Sequence, residues 1–250
     1  MPVMPNPEVI AHRGYAARYP ENTLVALEAA LRAGARHVEF DVQLTRDGVP
    51  VLQHDAELAR TTGHAGRVMD LDLDTVRTLD AGETPRFGTR FTDERIPTLA
   101  QVVDLLANRP QATAFVEIKE ESLAHFGTVR TVRSVLAVLE PLLARCVPIS
   151  FSADAVRCAR DLDAPAVGWV LRSLDAAHCA QARRLAPAYL FCDHRAALAR
   201  PGRLWPGPWR WALYEVIGAG LARELAARGA DLVETMAVGE LLAGLASDES

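Results

Sequence analysis

Residues 39–54 read Glu-Phe-Asp-Val-Gln-Leu-Thr-Arg-Asp-Gly-Val-Pro-Val-Leu-Gln-His, two β-patterned runs joined by a turn. Glu39 and Asp41 are two apart, so on a strand their side chains share a face. Asp47-Gly48 is a hairpin signal, because Gly accepts the positive φ that a two-residue loop demands. With those two residues as the loop, residue 46 pairs with 49, and counting outward places Asp41 opposite His54. Cross-strand partners share a face. The stretch therefore predicts Glu39, Asp41 and His54 at one point: two hard oxygen ligands beside an imidazole.

Upstream, residues 8–11 form a short apolar run ending at His12-Arg13-Gly14, a strand followed by a glycine turn. Pro20-Glu21-Asn22-Thr23 opens a helix that Asn22 or Thr23 caps, with Leu24, Leu27, Ala30 and Leu31 as its apolar stripe and Gly34 as its stop. The first hairpin strand then starts near His37. Downstream, residues 55–97 are dominated by turn residues, with one short helix expected over 71–79; an irregular excursion of that length is usually functional. Pro97-Thr98-Leu99 starts a helix running to about Ala107.

Beyond it the chain alternates. Strand-like runs fall at 113–118, 146–150, 166–171, 188–192, 210–214 and 231–234. Helical patterns fall at about 128–144, 153–162, 175–186 and 218–228. Repeated β then α, with strands too apolar to alternate, indicates a parallel sheet buried on both faces. Nine strand candidates, with the hairpin arms counted separately, match an α/β fold of the (β/α)8 TIM-barrel type carrying one extra arm. An open doubly wound sheet is the alternative, but no Gly-x-Gly-x-x-Gly or P-loop supports it. The chain reads as one domain over 1–250, with 55–97 a small insertion and Ser247–Ser250 a frayed tail.

The 250 residues carry a formal net charge of −5, half of them are hydrophobic and 24% are charged. That is ordinary for a globular domain, and scattered Lys and Arg argue against a nucleic-acid binder. Cys146, Cys158, Cys179 and Cys192 form no Cys-x-x-Cys pair and read as reduced thiols of a cytoplasmic protein. The start, Met-Pro-Val-Met-Pro-Asn-Pro-Glu, lacks the pattern of a signal peptide. No run approaches the roughly 18 apolar residues of a membrane span, so no membrane anchor is expected.

In a (β/α)8 barrel, chemistry sits at the C-terminal ends of the strands. His12 and Arg13 end the first strand, Glu39 and Asp41 lie in the second, and Glu117 and Lys119 end the strand from Ala114. Taken singly, each has an ordinary structural use: a capping histidine, a solvated edge, a surface ion pair. Their coincidence on one rim, in apolar contexts where unpaired charge is costly, marks a site. Glu39, Asp41 and Glu117 suit one hard divalent cation, Mg²⁺, Mn²⁺ or Ca²⁺. His12 and His54 suit general acid–base work. Arg13 offers a planar fork for phosphate and Lys119 a point charge. Together they suit in-line displacement at a phosphodiester. His37, His64, His125, His178 and His194 lack converging partners and read as surface or structural. Trp205, Trp209 and Trp211 fit core or rim packing at least as well as a ligand platform.

These residues occur within an ordered set: His12-Arg13-Gly14, Pro20-Glu21-Asn22-Thr23, Glu39-x-Asp41-Val42, Thr45-x-Asp47-Gly48, His54-Asp55, Ile96-Pro97-Thr98-Leu99, Glu117-Ile118-Lys119 and Ser150-Phe151-Ser152. In order and spacing, from about residue 8 to 152, the chain resembles the glycerophosphodiester phosphodiesterases, particularly the compact bacterial cytoplasmic type. The resemblance implies a (β/α)8 barrel with 55–97 over its mouth. It implies His12 and His54 as the acid–base pair, Glu39, Asp41 and Glu117 as metal ligands, and Arg13 and Lys119 on the phosphate. The implied reaction is metal-dependent hydrolysis of a glycerophosphodiester to sn-glycerol 3-phosphate and an alcohol, through direct attack by water or through a cyclic phosphate. A lysophospholipase D activity on the same barrel, and a non-catalytic glycerophosphodiester-binding barrel, are the alternatives. The last third departs from the family pattern. Trp211-Ala212-Leu213-Tyr214 replaces a Trp-Thr-Val-Asn-like strand, and Asp231-Leu232-Val233-Glu234-Thr235-Met236 replaces a Thr-Asp-x-Pro turn, without its Asp and Pro. Trp211 still aligns with the family's tryptophan, which implies a part in substrate binding.

Overall fold

The computed structural model describes residues 6–247. Of the stretch Met1–Glu8 read as lacking a leader, residues 1–5 lie outside the described residues; of the tail Ser247–Ser250 read as frayed, 248–250 do, and Ser247 instead ends a helix. Nine strands form one sheet: β1 (Glu8–Ala11), β2 (His37–Leu44), β3 (Pro50–Leu52), β4 (Thr113–Ile118), β5 (Cys146–Ser150), β6 (Gly168–Leu171), β7 (Tyr189–Asp193), β8 (Arg210–Tyr214) and β9 (Leu232–Thr235). The order is β1-β9-β8-β7-β6-β5-β4-β2-β3, and a β1–β2 pairing closes it. Eight strands run parallel, and β3 is an antiparallel arm on the end of β2 that β1 has left unpaired. This is the closed (β/α)8 barrel and not the open sheet.

The apolar strand runs are explained by two cores. Inside the barrel, Ile10, Phe115, Ile149, Val170, Phe191 and Leu232 pack together. Outside it, the alternate residues of the same strands face the helices, as Val38, Phe40, Val42, Val116 and Leu213 do. Burial on both faces removes any polar alternation. The inner core is tight: a Cβ on Gly168 would stand 2.7 Å from Ile149 Cγ2 and 3.3 Å from Phe191.

The helices start where side chains can satisfy their first amides. Thr23 caps Leu24–Arg32. Thr98 and Gln101 form a reciprocal capping box on Leu99–Ala107. Three further helices, Glu120–Phe126, His194–Leu198 and Val238–Ser247, lie where no helix is predicted. The first begins directly off β4 at Lys119 with no side-chain cap, so the start signal is absent.

Two expectations are corrected. The hairpin register is Val42↔Leu52, Gln43↔Val51 and Leu44↔Pro50, one residue from the predicted pairing. Thr45 closes the turn instead: its amide donates to Val49 at 3.0 Å, its hydroxyl to Asp47 at 2.6 Å, and Gly48 donates back to it at 2.8 Å. The loop therefore holds three residues, and the Gln53 amide, not His54, reaches the Asp41 carbonyl. Second, 55–97 contains four short helical segments, Ala59–Thr62, Val68–Asp70, Leu73–Val76 and Thr84–Phe87, in place of one helix over 71–79. They close over a small core of their own around Leu58, Met69, Val76 and Ile96.

Gly168→Val should overpack the inner core and cost about 1–3 kcal/mol, read as an earlier urea midpoint with unchanged slope. An unchanged midpoint would mean that the barrel interior has slack.

Candidate active site

β1 ends at Ala11, and the His12 amide prolongs its ladder by donating to Thr235 at 2.9 Å. The chain then turns through Arg13 (φ +54°) and Gly14 (φ +80°). A Cβ on Gly14 would lie 2.6 Å from the Ala26 backbone, so only glycine lets this loop sit on the first helix. The turn aims the Arg13 amide at Glu39 Oε2, 3.1 Å away. It also brings the Arg13 guanidinium to Glu21 at 2.9 Å and to Asp41 Oδ2 at 3.2 Å.

β2 supplies Glu39 and Asp41 on one face, and the parallel register sets Asp41 directly beside Glu117 of β4. Asn22 clamps Asp41: its Nδ2 donates to Oδ2 at 2.9 Å and its Oδ1 accepts from the Asp41 amide at 3.0 Å. Lys119 Nζ donates to Glu117 at 2.7 Å and stands 3.3 Å from Asp41 Oδ1. Glu39, Asp41, Glu117 and Lys119 are thus brought together with Arg13 and His12. His54 arrives from just beyond β3, and its ring lines the same cavity.

The electrostatics are unbalanced. Burial opposes charge on Asp41, but Lys119 and Arg13 outweigh it and hold its pKa below the usual carboxylate value. Glu39 is pushed well up by burial and by the charge on Asp41, and Glu117 is pushed up by the same two causes. Two cationic side chains do not neutralise the group. One oxygen from each of Glu39, Asp41 and Glu117 lies within 4.8 Å of the others. Glu39 Oε1 and Asp41 Oδ1 are buried without a hydrogen-bond partner. Open lone pairs on converging hard oxygens fit a divalent cation of the Mg²⁺, Mn²⁺ or Ca²⁺ class.

The surroundings push the two imidazoles in opposite directions. Burial alone would lower the His12 pKa, but Glu234, Glu215 and Glu39 outweigh it and push the value up to about 10. Burial pushes His54 below its usual value, with Arg13 and Lys119 adding to it and Asp41 opposing. His54 Nδ1 bonds Asp55 at 2.6 Å. Arg60, from the insertion, donates to Asp55 at 2.5 Å and grips Glu21 through two nitrogens at 2.7 and 2.8 Å. Because Glu21 also holds Arg13, one guanidinium ties the supports of His54 and Arg13 together. Residues 55–97 reach the site through such contacts, and none of them is among the residues lining the cavity.

Trp211 is not brought to the site. In β8, Ala212 faces the inner core, so Trp211 faces the helices; it is 3% exposed, and its Nε1 donates to the Trp205 carbonyl at 2.9 Å. The alignment of a tryptophan did not carry its orientation. Conversely, His194 lines the cavity, with Nδ1 donating to the Tyr214 carbonyl at 3.0 Å. Glu215 bonds His12 Nδ1, and Glu234 lies buried beside it. Sequence reasoning missed both carboxylates, although each is a charge at the C-terminal end of an apolar strand, the signal that marked Glu117.

A closed barrel with an acidic, imidazole-flanked mouth defines the class. The family follows from comparison with known proteins: the model of the glycerophosphoryl diester phosphodiesterase family matches residues 12–197, and the chain belongs to that family. A glycerophosphodiester phosphodiesterase of Caldanaerobacter subterraneus is 46% identical over 101 residues, 40% of this chain and 41% of the relative. Mouse glycerophosphodiester phosphodiesterase 1 is 46% identical over 110 residues, 44% of this chain and 33% of the relative. The matched stretches thus span less than half the length of these curated relatives. Among solved structures, an Oleispira antarctica phosphodiesterase in complex with the product sn-glycerol-3-phosphate superposes with a TM-score of 0.82 at 26% identity, over 96% of this chain and 97% of that one.

Arg60→Ala strips a bidentate partner from the buried Glu21 and should cost roughly 1–3 kcal/mol. Hydrogen exchange should quicken at residues 21–23 and 54–56. Arg60→Lys should recover little, since one ammonium cannot bridge both carboxylates. Unchanged exchange in Arg60→Ala would show that the bridge does not hold these loops.

Proposed function

We propose that the chain catalyses cation-dependent hydrolysis of glycerophosphodiesters to sn-glycerol 3-phosphate and a small alcohol. The observation that carries this reading is the converging trio Glu39, Asp41 and Glu117, with His12, His54, Arg13 and Lys119 lining the same cavity. The product complex of the Oleispira protein supports a glycerophosphate product.

Glu39, Asp41 and Glu117 would hold one Mg²⁺, Mn²⁺ or Ca²⁺, which when bound supplies positive charge to the non-bridging phosphate oxygens. Arg13 and Lys119 add theirs, Arg13 through its fork and Lys119 through its ammonium. His54, whose burial favours the neutral ring, takes the proton from the attacking hydroxyl. His12, kept as the imidazolium by its carboxylate neighbours, gives a proton to the leaving alkoxide. With water as the attacking group, each turnover leaves His54 protonated and His12 neutral, and exchange with solvent restores both. Where the substrate's own glycerol hydroxyl attacks, these roles close a cyclic phosphate; the reverse roles, His12 taking a proton from water and His54 returning one to the glycerol oxygen, then open it.

The cavity, about 320 Å³, falls at the low end for organic ligand sites. That favours a short alcohol over the acyl chain of a lysophospholipid. Retention of both histidines and all three carboxylates disfavours a non-catalytic binding role. The four free cysteines, Cys146 and Cys192 buried among them, support the reducing cytoplasm as its compartment. Among the described residues, no helix is long and apolar enough to cross a membrane.

The direct test is release of glycerol 3-phosphate from glycerophosphocholine with Mg²⁺, Mn²⁺ or Ca²⁺ and with EDTA. Release that needs the cation is expected; none with any ion, alongside turnover of lysophospholipid, would transfer the reading to the phospholipase D type. His12→Ala should lower kcat by ~10²–10⁴-fold on a choline ester. It should lower kcat far less on an analogue with a p-nitrophenyl leaving group, which needs no proton. His54→Ala should be equally poor on both. Equal losses for His12→Ala on the two substrates would contradict its role as the acid. Asp41→Asn and Glu117→Gln should each weaken cation binding by at least tenfold by titration calorimetry, and unchanged affinity in both would remove the cation from this trio.

A further inference from the structure

The proposed reaction leaves one buried carboxylate unused. Glu234 sits in β9 opposite Ile10, inside the barrel, and is 3% exposed. Its Oε1 is buried without a hydrogen-bond partner. Arg13 and Lys119 reach the first carboxylate group, whereas no Lys or Arg among the described residues forms an ion pair with Glu234. A buried carboxylate oxygen left open is costly unless a proton or a cation fills it.

The neighbours of Glu234 supply the rest of a coordination set. His12, Glu39 and Glu234 each offer one ligand atom within 4.8 Å of the others. His12 is oriented for this. Its Nδ1 is engaged by Glu215, and its Nε2 lies 3.7 Å from Glu39 Oε2. A carboxylate on one imidazole nitrogen fixes the ring and presents the other nitrogen, the arrangement that supports metal-ligating histidines. The donor set differs from that of the first group. Three carboxylates suit Mg²⁺ or Ca²⁺, whereas one imidazole with two carboxylates suits Zn²⁺ and leaves room for a fourth ligand. Glu39 belongs to both sets.

We propose that His12, Glu39 and Glu234 form a second cation site, selective for Zn²⁺-class ions, and that an ion there stops turnover by displacing the proton of His12 Nε2 to solvent and taking its place. The inhibitory half rests on the proposed reaction, in which that nitrogen carries the proton for the leaving group; the binding half does not. The site makes the enzyme's response to metals two-sided. Hard cations at Glu39, Asp41 and Glu117 support activity, and a borderline cation one step deeper in the barrel removes the acid.

The test is Zn²⁺ stoichiometry by equilibrium dialysis, with Zn²⁺ as the only divalent ion. Glu234→Gln, which keeps shape and loses charge, should bind one Zn²⁺ fewer per chain than wild type. An equal count in the two proteins overturns the site. Glu215→Gln, at a half-exposed position outside the inner core, provides a second variant should Glu234→Gln fold poorly. It should keep the wild-type count but weaken the affinity of the His12–Glu39–Glu234 site by ~10–100-fold, and unchanged affinity would overturn the ligand role of His12. In Mg²⁺-supported assays, the Zn²⁺ concentration for half inhibition, referred to each protein's own rate, should rise at least tenfold in Glu234→Gln. An unchanged value with the altered count would overturn the inhibitory role alone. Absence of turnover under every condition would defeat the proposed reaction, and the dialysis would still decide the site.

Discussion

The structure depends on the burial of Asp41 between Arg13, Lys119 and Asn22. Asp41 is 1% exposed, and an isolated carboxylate there would be untenable. Each partner reaches it by a different device. Asn22 and Arg13 both take positive φ, and the turn between them depends on a glycine at 14 that nothing larger can replace. Lys119 arrives because β4 pairs with β2 in a register that sets Glu117 beside Asp41. The closed barrel, the β1 loop and the acidic mouth therefore share these contacts, and the charge left over after Arg13 and Lys119 is what calls for a cation.

Much of this was legible in the sequence, because it rests on periodicity. Two-residue spacing placed Glu39 with Asp41, and the rule that barrel chemistry sits at strand ends placed His12, Glu117 and Lys119 with them. The hairpin shows the limit. The dipeptide Asp47-Gly48 marked the turn, but the Thr45 hydroxyl, bonding Asp47 and Val49, enlarged the loop by one residue and shifted the register. A slip of one residue ordinarily sends side chains to the wrong face. His54 escapes that fate because it lies past the end of β3, where Asp55 sets its ring rather than strand pairing.

Trp211, Glu215 and Glu234 fail in an instructive way. A tryptophan aligned with the family pattern was given a ligand's role, yet strand parity alone, with Ala212 inward, turns it to the helices. The two carboxylates stand in a stretch that departs from the family pattern, where no motif marks them. The contribution of the insertion was invisible for another reason. Arg60 acts on Asp55, five residues away, and on Glu21, thirty-nine away, and no local pattern announces a bridge between two carboxylates that themselves act through His54 and Arg13.

The account stands on a cation held by Glu39, Asp41 and Glu117. The most direct measurement is an anomalous difference map from crystals of the protein grown with Mn²⁺. The account predicts a peak bounded by one oxygen from each of these three side chains, with Lys119 drawn off Asp41. A map with no peak at the barrel mouth, or with a peak that leaves all three carboxylates unliganded, would contradict it.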